Sequence, residues 1–306
     1  MASHQFYQMD VFTDIPLTGN PLAVFPDATG LDARTMQGLA REMNLSETTF
    51  LSPSANATRR VRFFTPNAEI PLAGHPTIGT WWLLAELGLV SVSRDGTTRV
   101  TQETGAGVLP VDVDMSEGRP TRVTMIQPRP QFGDACRDLE QLSRGLGCGR
   151  GSVAPRPTPQ IVATAMPQLM VHVSSLAALR DLPSGGTGGD LGQFLNSLGT
   201  QCVMCFSTET ERPDATVQCR MFAPGLGVPE DPATGSAAGA LGCYLVRHGL
   251  VPIVGGTAHI IVDQGFEIGR PSRIAVRIST TEDGAEITEV AVGGTAVQVI
   301  TGTVRL

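Results

Sequence analysis

The chain has 306 residues, enough for two domains of about 150 residues each, and 41% of them are hydrophobic, which excludes disorder. All 22 basic residues are arginine, and the absence of lysine excludes a pyridoxal phosphate Schiff base, a Schiff-base aldolase and the phosphate-binding lysine of a P-loop. With 29 acidic residues the net charge is -7, which argues against nucleic acid as a partner.

The first residues, MASHQFYQMD, carry neither a basic n-region nor an apolar h-region, and no stretch reaches the ~20 apolar residues of a spanning helix. A cytoplasmic protein with no membrane partner is expected. FYQMDVF and PLAVF then read as strands, RTMQGLAREMN as an amphipathic helix and LSETTFLS as a strand. Val61-Arg62-Phe63-Phe64-Thr65-Pro66 precedes Ala73-Gly74-His75-Pro76 and an apolar run through Leu87. TTRVTQE, VLPVDVDM and TRVTMIQ follow as strands.

The segment 128–160 is rich in Pro, Gly and Arg and reads as a linker. Its Gly145, Gly147, Gly149 and Gly151 lack the strand and helix that a dinucleotide loop needs. Six cysteines in a chain of this length fit a reduced compartment. The one C-x-x-C, Cys202 and Cys205, sits in the strand-like QCVMCF, where the two thiols point to opposite faces. It reads as core, and no metal site is expected.

The second half repeats the first. Cys219-Arg220-Met221-Phe222-Ala223-Pro224 precedes Thr234-Gly235-Ser236-Ala237 and an apolar run through Val246, offset by 158 residues at Arg62/Arg220 and Pro66/Pro224. The Pro-to-Gly spacing is seven residues in the first copy and ten in the second, an insertion that takes in the neighbourhood of Glu230-Asp231-Pro232. AHIIVDQG, SRIAVRIST and TAVQVITGTVRL close the chain as strands.

Each copy therefore reads as strands around one central helix, the first starting at Pro76 and the second capped by Ser236. Both helices are apolar on nearly every face and should be buried in their own domains. The expected domains are 1–127, with the C-terminal strand at about 290–306 returning to it, and 161–289. If a pseudo-two-fold relates the copies, the helix N-termini converge in a cleft suited to a carboxylate.

Four polar residues stand near those helix starts. Strand alternation puts Glu47 on the face of Leu45 and Leu51, and a partly apolar face favours a carboxyl group that can take and return a proton; a solvated edge Glu would show the same pattern. His75 and Ser236 read equally as caps, and Asp231 as an Asp-Pro turn.

Arg41-Glu42-Met43-Asn44-Leu45-Ser46-Glu47-Thr48, Phe64-Thr65-Pro66 with Pro71-Leu72-Ala73-Gly74-His75-Pro76, and Glu230-Asp231-Pro232-Ala233-Thr234-Gly235-Ser236-Ala237-Ala238-Gly239 resemble the PhzF-like phenazine-biosynthesis family. Gly19-Asn20-Pro21, Gln264-Gly265 and Gly269-Arg270-Pro271-Ser272 extend the resemblance from about residue 6 to the C-terminus. It implies an α/β (α+β) fold of two pseudo-symmetric diaminopimelate-epimerase-like domains. It also implies a homodimeric isomerase that needs no cofactor and acts on a small carboxylate, as in the isomerisation of trans-2,3-dihydro-3-hydroxyanthranilate. By resemblance Glu47 is the acid/base, His75, Asp231 and Ser236 complete the catalytic set, and Gly74, Gly235 and Asn20 bind substrate. Racemases of this fold place a cysteine ahead of each central helix; here those positions hold Ala73 and Thr234. A non-cysteine racemase or epimerase and a non-catalytic binding protein of the same fold are the alternatives.

Overall fold

The computed structural model describes residues 3–306. The described chain divides into two compact units, one running up to residue 126 together with 293–306, the other 127–292.

The first unit runs β1 (Ser3–Val11), β2 (Asn20–Phe25), α1 (Ala33–Met43), β3 (Glu47–Ser52), β4 (Arg59–Phe64), β5 (Glu69–Ile70), α2 (Gly74–Glu86), β6 (Gly96–Thr104), β7 (Gly107–Ser116) and β8 (Arg119–Gln127). β2 and β3 pair in parallel, β3 with β4 and β4 with β5 antiparallel, and β4 with β6 in parallel. Asp32 caps α1 by accepting from the Thr35 amide at 2.7 Å, and Asn44 ends it in the left-handed region. The apolar stripe Met36, Leu39 and Ala40 then packs on Phe25, Phe50 and Phe64. α2 has no polar face; all its residues from His75 to Ala85 except Trp82 are buried, against β1, β2, β3 and β7.

The second unit runs β9 (Gln131–Ala135), α3 (Leu139–Leu146), β10 (Gln160–Ala163), β11 (Pro167–His172), α4 (Leu176–Arg180), α5 (Gly189–Ser197), β12 (Val203–Ser207), β13 (Val217–Ala223), a 3-10 turn (Pro224–Leu226), β14 (Val228–Asp231), α6 (Gly235–Arg247), β15 (Thr257–Gln264), β16 (Ser272–Thr280) and β17 (Ile287–Gly294). β18 (Ala296–Arg305) pairs antiparallel with β1. The second unit repeats the pairing scheme: β11 with β12 parallel, β12 with β13 and β13 with β14 antiparallel, β13 with β15 parallel. α6 is buried along nearly its whole length against β10, β11, β15 and β16. The fold is the mixed α/β architecture, strands wrapped around a central helix in each unit, that the repeat predicts.

The structure corrects three readings. Segment 128–160 does not link two units but belongs to the second: it holds β9 and α3, and Leu142 and Leu146 enter a core with Leu169, Leu191 and Phe222. Neither central helix starts where its local signals point. α2 begins at Gly74 and α6 at Gly235, with Ala73 and Thr234 as N-caps, so Pro76 is the third helical residue and Ser236 the second, not the cap. The insertion also lies upstream of Glu230. Phe63 pairs with Ile70 in one hairpin, and Met221 with Asp231 in the other. Arg62 forms a two-pronged bond to Glu69, and Arg220 does the same to Glu230. Beyond the hairpins the offset is therefore 161 residues, and the three extra residues lie in the β13–β14 loop that includes the 3-10 turn. The two helices end alike under this offset: Leu89 donates to the Leu84 carbonyl past Gly88, and Leu250 to the Leu245 carbonyl past Gly249, both at 2.9 Å. Both glycines have φ near +65°, the conformation this helix-ending turn requires.

Candidate functional site

In the first unit, the start of α2 and the start of β3 bring two of the candidate residues together. His75 Nε2 lies 3.4 Å from Glu47 Oε2. The imidazole is 6% exposed, and burial pulls its pKa down to about 3 against the opposing effect of a hydrogen bond with the Pro21 carbonyl. It is therefore neutral near pH 7, and the contact with Glu47 is not an ion pair. Nε2 makes no hydrogen bond, so the bond to Pro21 uses Nδ1–H, which leaves the Nε2 lone pair facing the carboxyl group. Asn20, fully buried at the start of β2, accepts from Ser46 Oγ at 3.1 Å and so anchors the residue before Glu47. No side chain caps α2, so the first-turn amides at Gly74 and His75 keep their affinity for an acceptor.

In the second unit, Asp231, Thr234 and Ser236 surround the start of α6. The Thr234 hydroxyl donates to Asp231 Oδ2, and its amide donates to Gln264 Oε1 at 3.3 Å. Gln264 Nε2 returns the tie, donating to the Asp231 carbonyl at 2.7 Å and to Thr234 Oγ1 at 3.1 Å. One buried amide thus fixes the whole Asp231–Thr234 turn. Ser236 Oγ accepts from Gln168 Nε2 at 3.3 Å, and Gln127 Nε2 donates to the Gly235 carbonyl at 3.0 Å. α6 also lacks a side-chain cap, which keeps the Gly235 amide suited to an anion.

The strand registers say which residues of the two copies correspond. Phe64 pairs with Thr48, and its equivalent Phe222 pairs with Val203; Glu47 is therefore matched by Cys202. The Cys202 thiol is pushed up to about 12, by burial first and by the Asp231 charge second. Asp231 is matched by Ile70, and Ser236 by His75. The two copies thus offer different groups at matching places, and the carboxylates do not correspond.

Gln264 was visible only as part of a motif without a role, and Gln168 gave no signal, since nothing local marks a strand glutamine as facing a helix start. Trp81 and Tyr244, both fully buried, belong to the core: Trp81 donates to Gln102 Oε1 at 2.9 Å, and Tyr244 to the Thr158 carbonyl at 3.0 Å. The C-x-x-C pair is core as well, with both sulfurs buried and unbridged. Among the described residues no helix is long and apolar enough to cross a membrane.

Known proteins resemble this chain in sequence and in fold. The profile of a family described as phenazine biosynthesis-like protein, PhzC-PhzF, matches residues 9–302. A trans-2,3-dihydro-3-hydroxyanthranilate isomerase from Pseudomonas chlororaphis is 36% identical over 304 residues, 99% of this chain and 100% of the relative. The crystal structure of a Bacillus anthracis phenazine biosynthesis protein of the PhzF family superposes with a TM-score of 0.91 at 28% identity, covering 100% of both chains. A hydroxyproline epimerase from Agrobacterium vitis shares the fold at 14% identity with a TM-score of 0.66, over 99% of this chain and 91% of the epimerase.

Proposed function

The chain belongs to the phenazine biosynthesis-like PhzC-PhzF family and is an isomerase of that kind, and from this premise we propose that it moves a proton on a small, cyclic, carboxylate-bearing metabolite with Glu47 as its single acid/base. The observation that carries the reading is the Glu47–His75 pair. A neutral imidazole, fixed by Pro21, turns its lone pair toward the carboxyl group. Glu47 takes a proton from one ring carbon, and the electron pair of the broken C–H bond moves into the conjugated system. Nε2 is placed to share the proton held on the carboxyl group. Glu47 then delivers the proton to a second ring carbon as the double bonds shift. One C–H bond breaks and one forms, so the scheme balances without a cofactor.

Asp231 and Ser236, with the amides at Gly74 and Gly235, are assigned to substrate recognition, and Asn20 to holding the Glu47 segment. The substrate named for the Pseudomonas relative, trans-2,3-dihydro-3-hydroxyanthranilate, is the first to try. A two-base racemase is the weaker reading, because the place matching Glu47 holds a buried thiol pushed up to about 12. The protein incubated with that dihydroaromatic acid and followed by NMR should convert it to a double-bond isomer. Inversion of free or hydroxylated amino acids instead would establish the racemase reading. Thermal stabilisation by these acids without product would establish a binding protein.

A further inference from the structure

Gln168, on β11, is 1% exposed. Its Nε2 donates to Ser236 Oγ at 3.3 Å, while its buried Oε1 has no hydrogen-bond partner. A buried amide oxygen without a protein donor is uncommon in folded proteins and calls for an explanation.

The repeat supplies that explanation. Leu22 lies opposite Glu47 in the parallel β2–β3 pair, and Leu169 opposite Val203 in β11–β12, so Gln168 stands where the first copy has Leu22. In the first copy the neighbouring Pro21 carbonyl accepts from His75, the second residue of α2. In the second copy Gln168 donates to Ser236, the second residue of α6. Both copies hold the same helical position from the same strand, but with opposite hydrogen-bond sense. A hydroxyl has one proton and two lone pairs; with one lone pair filled by Gln168, its proton points away from Gln168. The nearby Thr164 hydroxyl donates to Gln127 Oε1 at 2.7 Å and otherwise faces the Ser236 backbone carbonyl at 3.4 Å.

We propose that Gln168 is a positioning residue that fixes Ser236 as a hydrogen-bond donor toward the anionic group of the substrate. The proposal rests on the carboxylate-isomerase reading above. Its test uses Gln168→Leu, Ser236→Ala, the double variant and Gln168→Glu, with isomerisation kinetics and calorimetric binding of anthranilate as a non-reacting ring carboxylate. Gln168→Leu should raise KM and the anthranilate Kd about tenfold while kcat stays within about threefold, the pattern of lost ground-state binding. The double variant should match Ser236→Ala alone.

In Gln168→Glu the introduced carboxylate accepts the Ser236 proton, so KM should rise at neutral pH and recover as the pH falls and the carboxyl group regains a donor. Gln168→Glu also serves as the readout if Gln168→Leu fails to fold. Additive effects in the double variant, or a Gln168→Glu KM without pH dependence, overturn the proposal alone. A wild-type protein that neither turns over the dihydroaromatic acid nor binds anthranilate overturns the functional reading, and the proposal with it.

Discussion

The β4–β5 and β13–β14 hairpins carry the same local device in two environments. Arg62 meets Glu69 with two bonds of 2.7 Å, and Arg220 meets Glu230 at 2.9 and 2.6 Å. Each guanidinium also lies 5.1 Å from the ring of the phenylalanine two residues on, Phe64 or Phe222. The first pair is on the surface, with the Glu69 side chain 42% exposed; the second is sealed, at 3% and 2%. Arg220 further donates to the carbonyls of Leu179, Arg180 and Leu182 at the end of α4. One sequence element is thus a surface clasp in the first unit and an internal tie between β13, β14 and α4 in the second. The geometry is inherited, whereas its energetic weight is set by burial.

The largest expected effect comes from breaking the buried member. Arg220→Ala should cost about 3–5 kcal/mol in urea unfolding, because Glu230 and three carbonyls lose their partner. Arg62→Ala should cost only about 0.2–1 kcal/mol. Equal costs would end the comparison. Replacing both buried partners with apolar residues, Arg220→Met with Glu230→Leu, should recover only the part of the loss that comes from the unpaired Glu230, because the Leu179, Arg180 and Leu182 carbonyls still lack their donor.

A middle-sized effect separates His75 from its counterpart Ser236. The unfolded chain takes up a proton on this imidazole near its ordinary 6.5, while the native state refuses it until about pH 3. The unfolded state therefore binds more protons in that window, and stability, complete above it, falls as the pH drops, by about 1.4 kcal/mol per unit. Between pH 7 and 5 the loss should be about 2 kcal/mol. His75→Gln should flatten that slope, whereas Ser236→Ala should leave it unchanged. The smallest effect sharpens the Glu47–Cys202 correspondence: Cys202→Ala should keep kcat/KM within about threefold, since a buried, protonated thiol is inert. A loss as large as that expected for Glu47→Gln would make the second copy a chemical participant.

Strands, turns and both central helices were legible because alternation and apolar runs are local signals. The repeat was legible from Arg62-Phe63-Phe64 and Arg220-Met221-Phe222. α3 is hidden in the sequence because the Pro, Gly and Arg around it mask the apolar spacing of Leu139, Leu142 and Leu146. The start of α6 is set by bonds that its local signals do not show. Ser236 is a good N-cap by preference, but the Thr234 amide is tied to Gln264, 30 residues on, and its hydroxyl to Asp231 in the preceding turn, and the two bonds together decide where α6 begins. Glu47 and His75 were found as separate residues. Their 3.4 Å approach and the neutral imidazole follow from register and burial, which no single stretch of sequence displays.

In the proposed reaction one carboxylate moves the proton and its counterpart in the other copy does not. Exchange of substrate hydrogen for deuterium in D2O, followed by NMR for wild type, Glu47→Gln and Cys202→Ala at equal folded concentration, tests it directly. The predicted result is a fall of about 10²–10⁴-fold in Glu47→Gln, the usual contribution of an acid/base group, with Cys202→Ala near wild type. Undiminished exchange in Glu47→Gln would contradict it.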